Sequence, residues 1–338
     1  MDAFTTQLAI VVPCFDEEAV LPETGARIAA LLTRLRDANK ISAASCIYFV
    51  DDGSSDRTWA IISDFVRTGM PVVGIRLSAN RGHQNAVLAG LLAAKGEAIV
   101  SIDADLQDDL DSIERMVDRY HDGCEIVYGV RRRRDSDSHF KRWSAAFFYR
   151  FAAWMGVRTV FNHADCRLMS RRAVEALRQF REANLFLRGI VPSIGFRSDI
   201  VEYDRTPRTA GNSKYPLRKM FALAADGITS FSVVPLRLIS LIGLVVFGGA
   251  MAVTLWVLWT RFLTDRAVPG WTSIVLPMYF LGGVQLLATG VIGEYLARIY
   301  IETKARPRFI VEQVIGESPA MPHRDSATAA ATNSGVDE

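Results

Sequence analysis

Apolar residues in the first 130 positions gather into short unbroken runs, LAIVV, CIYFV, VVGIRL, AIVSI and EIVYG, separated by amphipathic segments of helical length. A run that is apolar at every position, rather than at alternate ones, suits a strand covered on both faces. The intervening segments at residues 19–35, 56–66, 83–94 and 110–121 then read as crossover helices. The alternation predicts an α/β fold around a mostly parallel sheet. In such sheets ligands bind just beyond the carboxyl ends of the strands. The stretches PCFDEE, DDGSSD, SANRG and DADLQDD are therefore where chemistry is expected. Neither G-x-G-x-x-G nor G-x-x-x-x-G-K follows any of these strands, which speaks against a dinucleotide or P-loop site.

The pattern changes after Gly129. A basic loop, VRRRRDSDSHFKRW, leads to a predicted helix at residues 144–155 and a mixed region to about Arg205. Residues 216–234, PLRKMFALAADGITSFSVV, have apolar positions at helical spacing and suit a helix lying at a membrane interface. Two charge-free runs follow, 23 residues at 238–260 and 22 at 272–293. At about 1.5 Å per residue each can cross a hydrocarbon layer of roughly 30 Å. The link between them is RFLTDRAVPGW, with Trp256, Trp259 and Trp271 close to that end, and the whole reads as a membrane hairpin. Arg218, Lys219, Arg237, Arg298, Lys304, Arg306 and Arg308 flank the hairpin, against Arg261 and Arg266 in the link, so both termini are expected in the cytoplasm.

This divides the chain into a cytoplasmic domain (1–215), a juxtamembrane amphipathic segment (216–237), a first span (238–260), an extracytoplasmic loop (261–271) and a second span (272–293). A cytoplasmic juxtamembrane segment (294–315) and a disordered tail (316–338) complete it. The N-terminus lacks the basic-then-apolar order of a signal peptide. With 39 Lys plus Arg against 37 Asp plus Glu, the chain is nearly neutral, and no global field recommends nucleic acid as a partner. Cys14, Cys46, Cys124 and Cys166 are scattered without C-x-x-C spacing, so they read as reduced core residues rather than zinc ligands or a disulfide framework.

Residues 101–109, SIDADLQDD, hold the densest negative charge. They imitate a calcium loop, with Asp103, Asp105, Gln107 and Glu114 at ligand spacing. The imitation fails because Asp108 stands where the sharp turn needs glycine and the preceding AIVSI is strand-like. Asp103 and Asp105 at a strand end can instead turn oxygens toward one hard divalent ion, Mg²⁺ or Mn²⁺. Asp108, Asp109 and Asp111 are expected to cap the following helix and complement its dipole.

VVPCFDEE, VDDGSSDRT, NRGHQNAVLAGLLAAKGEAIVSIDADLQDD, YGVRRRR and HADCRLMSRR, in this order, resemble the family 2 glycosyltransferases. Together with the hairpin and the D-A-D-x-Q form, they resemble its polyprenyl-phosphate glycosyltransferase group over about residues 7–310. The resemblance implies a GT-A type nucleotide-sugar-binding domain. By it, Pro13, Phe15, Glu17, Val50 and Asp52 contact the nucleoside, while Asp103, Ala104, Asp105 and Gln107 form the diphosphate site, with Asp103, Asp105 and Gln107 about the metal. Phe15 replaces the family's usual tyrosine and Asp16 its usual asparagine; stacking survives the first change and a phenolic hydrogen bond does not. Asp165 matches the family's proposed catalytic aspartate, Arg131 and Arg142 the acceptor-phosphate cations, and Arg208, Ser213 and Lys214 the R-x-x-G-x-S-K segment near the donor. His83 and His163 receive no role.

The implied reaction is metal-dependent, inverting transfer of a hexose, with UDP-glucose as first choice, to polyprenyl (undecaprenyl) phosphate at the cytoplasmic face of the inner membrane. Asp105 and Asp165 would be catalytic. An acceptor phosphate is already largely dianionic near neutrality, its second pKa being about 6, so it needs positioning more than deprotonation. Asp165 could therefore orient the acceptor or an arginine instead of taking a proton, or form a structural ion pair with Arg167 or Arg171. The rival readings are a processive polysaccharide synthase and a non-catalytic, membrane-tethered sugar-nucleotide-binding protein. HFKRW lacks the glutamine of the synthase's Q-x-x-R-W and comes early in the chain. Glycines at 243, 248, 249, 282 and 283 leave room for packing between protomers in a homo-oligomer.

Overall fold

The computed structural model describes residues 6–105, 107–131, 163–182, 186–204 and 270–317, with scattered positions between 239 and 259. The predicted strands are present and wholly buried where the runs are purely apolar: β1 (Leu8–Cys14), β2 (Cys46–Asp51) and β4 (Ala98–Ser101). β3 (Val72–Leu77) and β5 (Ile126–Arg131) complete the predicted set. Between them lie α1 (Leu21–Asp37), α2 (Thr58–Arg67), α3 (His83–Ala93) and α4 (Asp111–His121), each close to its expected bounds. Further along come β6 (His163–Ser170), α5 (Arg171–Arg178), α6 (Leu187–Ser193), β7 (Ser198–Tyr203), α7 (Trp271–Thr303) and β8 (Val311–Ile315).

The eight strands form one mixed sheet in the order β7-β5-β6-β4-β1-β2-β3-β8. Its centre is parallel through β4, β1, β2 and β3, whereas β6 runs antiparallel to both β4 and β5, and β8 antiparallel to β3. Alternate side chains of β1 feed opposite cores. Leu8, Ile10 and Val12 join Ile28, Leu32, Ile113 and Met116 from α1 and α4; Ala9 and Val11 join Val87, Leu91, Val174 and Ile190 from α3, α5 and α6. Gly90 lets α3 lie close on β1, since a Cβ there would stand 2.3 Å from Val11 Cγ1.

β6 was not foreseen as a strand. HADCRLMS has Asp165 and Arg167 inside it, and a guanidinium in a central strand is tolerated only when its charge is paired within the fold. β8 was not foreseen either. It lies in the stretch read as a juxtamembrane segment and returns to the edge of the sheet beside β3.

α7 is 33 residues long, about 50 Å at 1.5 Å rise, and takes in all of the expected second span. Ile274, Met278, Leu281 and Ile292 along it are exposed, as are Leu241, Leu244, Val245 and Trp256 among the scattered helical positions before it. Among the described residues no helix is long and apolar enough to cross a membrane. The predicted helix at 144–155, the segment 216–237, residues 261–269 and the tail from 318 lie outside the described residues, as do Arg142, Arg208, Ser213 and Lys214.

Candidate active site

The C-terminal ends of β1, β2 and β4 open on one edge of the sheet. Because β6 is antiparallel to β4, with Ser101 opposite Arg167, its N-terminal half brings Asp165 to that same edge. The Ser101 hydroxyl donates to the Asp165 carbonyl at 2.9 Å. Beside it, His83 opens α3. Its Nε2 lies 2.9 Å from Oδ1 of Asp103, and one ligand atom each from His83, Asp103 and Asp165 fall within 4.8 Å of one another.

Asp165 is held by two arginines. Arg188, in the first turn of α6, donates from Nε to Oδ1 at 3.1 Å and from Nη2 to Oδ2 at 2.8 Å. The wholly buried Arg167 adds a contact of 3.4 Å to Oδ1. Burial alone would raise the Asp165 pKa, but the Arg188 hydrogen bonds and the charges of Arg188, Arg167 and His83 bring it down to about 2. For His83, desolvation pulls the pKa down, and the hydrogen bond and charge of Asp103 together with the charge of Asp165 outweigh it, leaving the imidazole above its ordinary value.

A second set of contacts shapes the neighbouring loops. Asp52, almost fully buried, accepts from the backbone N–H of Arg81 at 2.7 Å and of Gly82 at 2.9 Å, tying the end of β2 to the approach to His83. Its burial raises its pKa, and those two N–H groups oppose the rise. Gly53 has φ +71°, and a Cβ there would lie 2.7 Å from the Asn80 backbone nitrogen, so the two loops can touch only through glycine. Asp16 accepts from the Ser55 backbone at 2.8 Å, and the Glu17 backbone donates to Thr58 Oγ1 at 2.9 Å, which ties the loop after β1 to the loop after β2. Phe15 between them is 46 % exposed, available for a flat ring to stack upon. Pro13 and Val50 are register partners buried in β1 and β2, and thus line the strand ends from within the sheet.

The carboxylate loop divides. Of Asp103 and Asp105, Asp103 alone joins the cluster with His83 and Asp165 among the described residues. Asp105 Oδ1 accepts from the Gln107 backbone at 3.2 Å, Gln107 is buried, and the Ala104 carbonyl accepts from Thr24 Oγ1 at 2.7 Å. Asp109 serves the start of α4 as expected, accepting from the Asp111 backbone at 3.0 Å. Asp111 lies in the first turn and pairs with Arg34 at 2.6 Å. Asp108 is no cap. It is buried, and Tyr203 at the end of β7 donates its hydroxyl to Asp108 Oδ1 at 2.5 Å.

Arg131 ends β5; its side chain lies outside the described residues. Arg171, weighed as a partner of Asp165, instead donates Nε to the Gly96 carbonyl at 3.0 Å. His83 and Arg188 are the residues that sequence reasoning missed. Of the two, His83 carried a signal, since it ends the polar stretch after β3; Arg188 reaches Asp165 only through the tertiary fold.

A donor set of carboxylates and one imidazole suits a divalent first-row ion or Mg²⁺. Asp103 and His83 fit such an ion best, with Asp105 and Gln107 in the adjoining turn. Asp165, already neutralised by two guanidinium groups, fits least well.

Residues 9–178 match the family model "Glycosyl transferase family 2". A Bacillus subtilis (strain 168) protein described as uncharacterized glycosyltransferase YkoT is 48% identical over 307 residues, which is 90% of this chain and 91% of that one. The prophage bactoprenol glucosyl transferase homolog of Escherichia coli (strain K12) is 37% identical over 91% of this chain and 99% of its own. The bactoprenol glucosyl transferase of Shigella phage SfX is 37% identical, covering 90% and 99%.

Proposed function

Because this chain belongs to glycosyl transferase family 2 and is a glycosyltransferase, we propose that it transfers a hexose from a nucleotide sugar to a polyprenyl phosphate, with UDP-glucose the first donor to test. The observation that carries this reading is the convergence of His83, Asp103 and Asp165 at the carboxyl edge of the sheet, next to the loops that join β1 and β2 to their helices. The near full-length likeness to relatives named bactoprenol glucosyl transferase supports the lipid acceptor.

In this reading Phe15, Glu17 and Asp52 shape the nucleoside site, backed by Pro13 and Val50. Asp103 and His83, with Asp105 and Gln107, would hold Mg²⁺ or Mn²⁺. Such an ion neutralises charge that develops on a leaving diphosphate. Arg131, with Arg142, Arg208, Ser213 and Lys214, is assigned to acceptor and donor phosphates on the resemblance. The acceptor phosphate arrives largely ionised, so the protein has to place it in line with the anomeric carbon rather than strip it of a proton.

Residues 238–260 and 272–293 are proposed to seat the enzyme in the inner membrane as a hairpin, with both termini cytoplasmic. The exposed Ile274, Met278, Leu281 and Ile292 support this, because isolated large apolar side chains are ordinary on a surface whereas a helix lined with them calls for an apolar medium.

The test is transfer from a panel of radiolabelled nucleotide sugars to undecaprenyl phosphate by membranes containing the chain, with and without a chelator. A lipid-linked monosaccharide that disappears with the chelator is expected. No lipid product from any donor would defeat the proposal, and a growing polymer would favour a processive synthase.

A further inference from the structure

Arg188 is the more exposed of the two guanidinium groups that hold Asp165. Arg167, with 2% of its side chain exposed, already sets a buried positive charge 3.4 Å from the carboxylate. Arg188 keeps 41% of its side chain exposed, so its guanidinium can be reached from solvent while it holds Asp165. Yet its geometry is specific. Two donors of the guanidinium meet the two oxygens of Asp165 side by side, at 3.1 and 2.8 Å, which fixes the plane of the group as well as its position. The backbone beneath it is held from both sides. The Leu187 N–H donates to Gln84 Oε1 at 2.9 Å, next to His83 in α3, and the Leu187 carbonyl accepts from Arg167 Nη1 at 3.4 Å.

We propose that Arg188 binds a phosphate group of the reacting pair, and that Asp165 is its positioning residue. This rests on the reading of the chain as a transferase from nucleotide sugar to lipid phosphate. The charges agree with it. Arg167 and His83 also face Asp165 and Asp103, so Arg188 is not the sole counter-charge of these two carboxylates. A nucleoside diphosphate entering with a divalent cation adds little net charge, whereas a phosphate monoester brings nearly two negative charges that need a cation of their own. Guanidinium is the side chain best matched to phosphate, and one already oriented by a carboxylate loses less freedom on binding than a lysine would. Asp165, both of whose oxygens accept from guanidinium groups, is poorly placed to take a proton and well placed to aim Arg188.

The phosphate could be the acceptor's or the donor's, and binding without turnover separates them. With the full chain in detergent, affinity would be measured for undecaprenyl phosphate, for undecaprenol as the phosphate-free control, and for UDP or GDP with Mn²⁺. Arg188→Ala is expected to weaken one phosphate probe by about 10- to 100-fold, the range of a charge-assisted bidentate contact, while undecaprenol stays within about threefold. Arg188→Lys should recover part of the loss. Weakening of undecaprenyl phosphate assigns Arg188 to the acceptor, and weakening of the nucleotide assigns it to the donor. If neither phosphate probe changes by more than about threefold in a variant that melts like the wild type, the proposal is wrong. Asp165→Asn should reproduce the loss in the wild-type background and add little to Arg188→Ala. Equal losses in both backgrounds would mean that Asp165 acts on its own. Since no sugar moves in these measurements, failure of the wild type to make a lipid product would count against the proposed reaction and not against this assignment.

Discussion

Replacing Tyr203 with phenylalanine should loosen the carboxylate loop without emptying any space. Tyr203 and Asp108 are each about 2% exposed, and the phenol donates to Asp108 Oδ1 at 2.5 Å. The ring stays in Tyr203→Phe, so the packing of the end of β7 against Gly129 is kept, and the perturbation removes the phenol's hydrogen bond to a buried carboxyl group. Removing one partner of such a bond costs about 1 to 3 kcal/mol, because the acceptor left behind is not rehydrated. At roughly 2 to 4 °C per kcal/mol for a domain of about 200 residues, the melting temperature should fall by about 2 to 12 °C. The same residue pair fixes the far end of the loop that starts at Asp103, so the effect should also appear as weaker nucleotide binding in the presence of Mn²⁺. Thermal unfolding followed by circular dichroism and a nucleotide titration on the same sample read both. A melt within 1 °C of wild type would show that the loop is held by its other contacts, among them Arg115 to the Glu202 carbonyl at 2.8 Å and to Asp109 at 3.3 Å, and that Asp108 is incidental to the site.

Asp103→Ala and Asp105→Ala are each expected to lower sugar transfer by at least about 100-fold if they hold the ion that offsets diphosphate charge, and activity in either variant within tenfold of wild type contradicts that role. Asp165 predicts an acid-dependent stability. Its folded pKa of about 2 lies below the ordinary 3.8, so it stabilises the folded state above about pH 4 by roughly 2 kcal/mol, a contribution lost as pH falls toward 2; urea midpoints across that range should lose this step in Asp165→Asn. Gly53→Ala should cost more than about 2 kcal/mol in urea unfolding, from an unfavourable φ and the 2.7 Å approach to Asn80, and a neutral result would show that the two loops can part. Membranes carrying the chain should retain it through an alkaline carbonate wash, and its release into the supernatant would count against the proposed hairpin.

How far the sequence could be read follows from where each group finds its partner. β1, β2 and β4 were legible because nearly every residue in them is apolar and buried on both faces of the sheet, a property written into the run itself. The edge where His83, Asp103 and Asp165 meet was legible in part for the same reason, since strand ends follow from strands. β6 was not, because its apolar pattern is broken by Asp165 and Arg167. The partners that make those charges tolerable are each other and Arg188, which lies 23 positions beyond Asp165. The division of roles within DADLQDD was half legible. Asp109 does what a local rule expects, accepting a backbone N–H two residues on. Asp108 escapes the local rule because its donor, Tyr203, lies 95 positions away.

The same reasoning bears on why the site tolerates so much charge. Asp103 faces His83, Asp165 faces two arginines, Asp108 faces a phenol, and Asp109 faces the start of a helix and Arg115. The carboxylates are thus satisfied one by one rather than as a single acidic patch. A divalent ion arriving at Asp103 would displace the His83 contact, and the ion pairs of Asp165 need not break to admit it. If the binding measurements assign Arg188 to the acceptor, the proposed donor with its metal and the proposed anionic acceptor would draw on separate partners, Asp103 with His83 for the first and Arg188 for the second. The proposed transfer would gain from this division, because a cation shared between two phosphates would be half neutralised by the first before the second arrived.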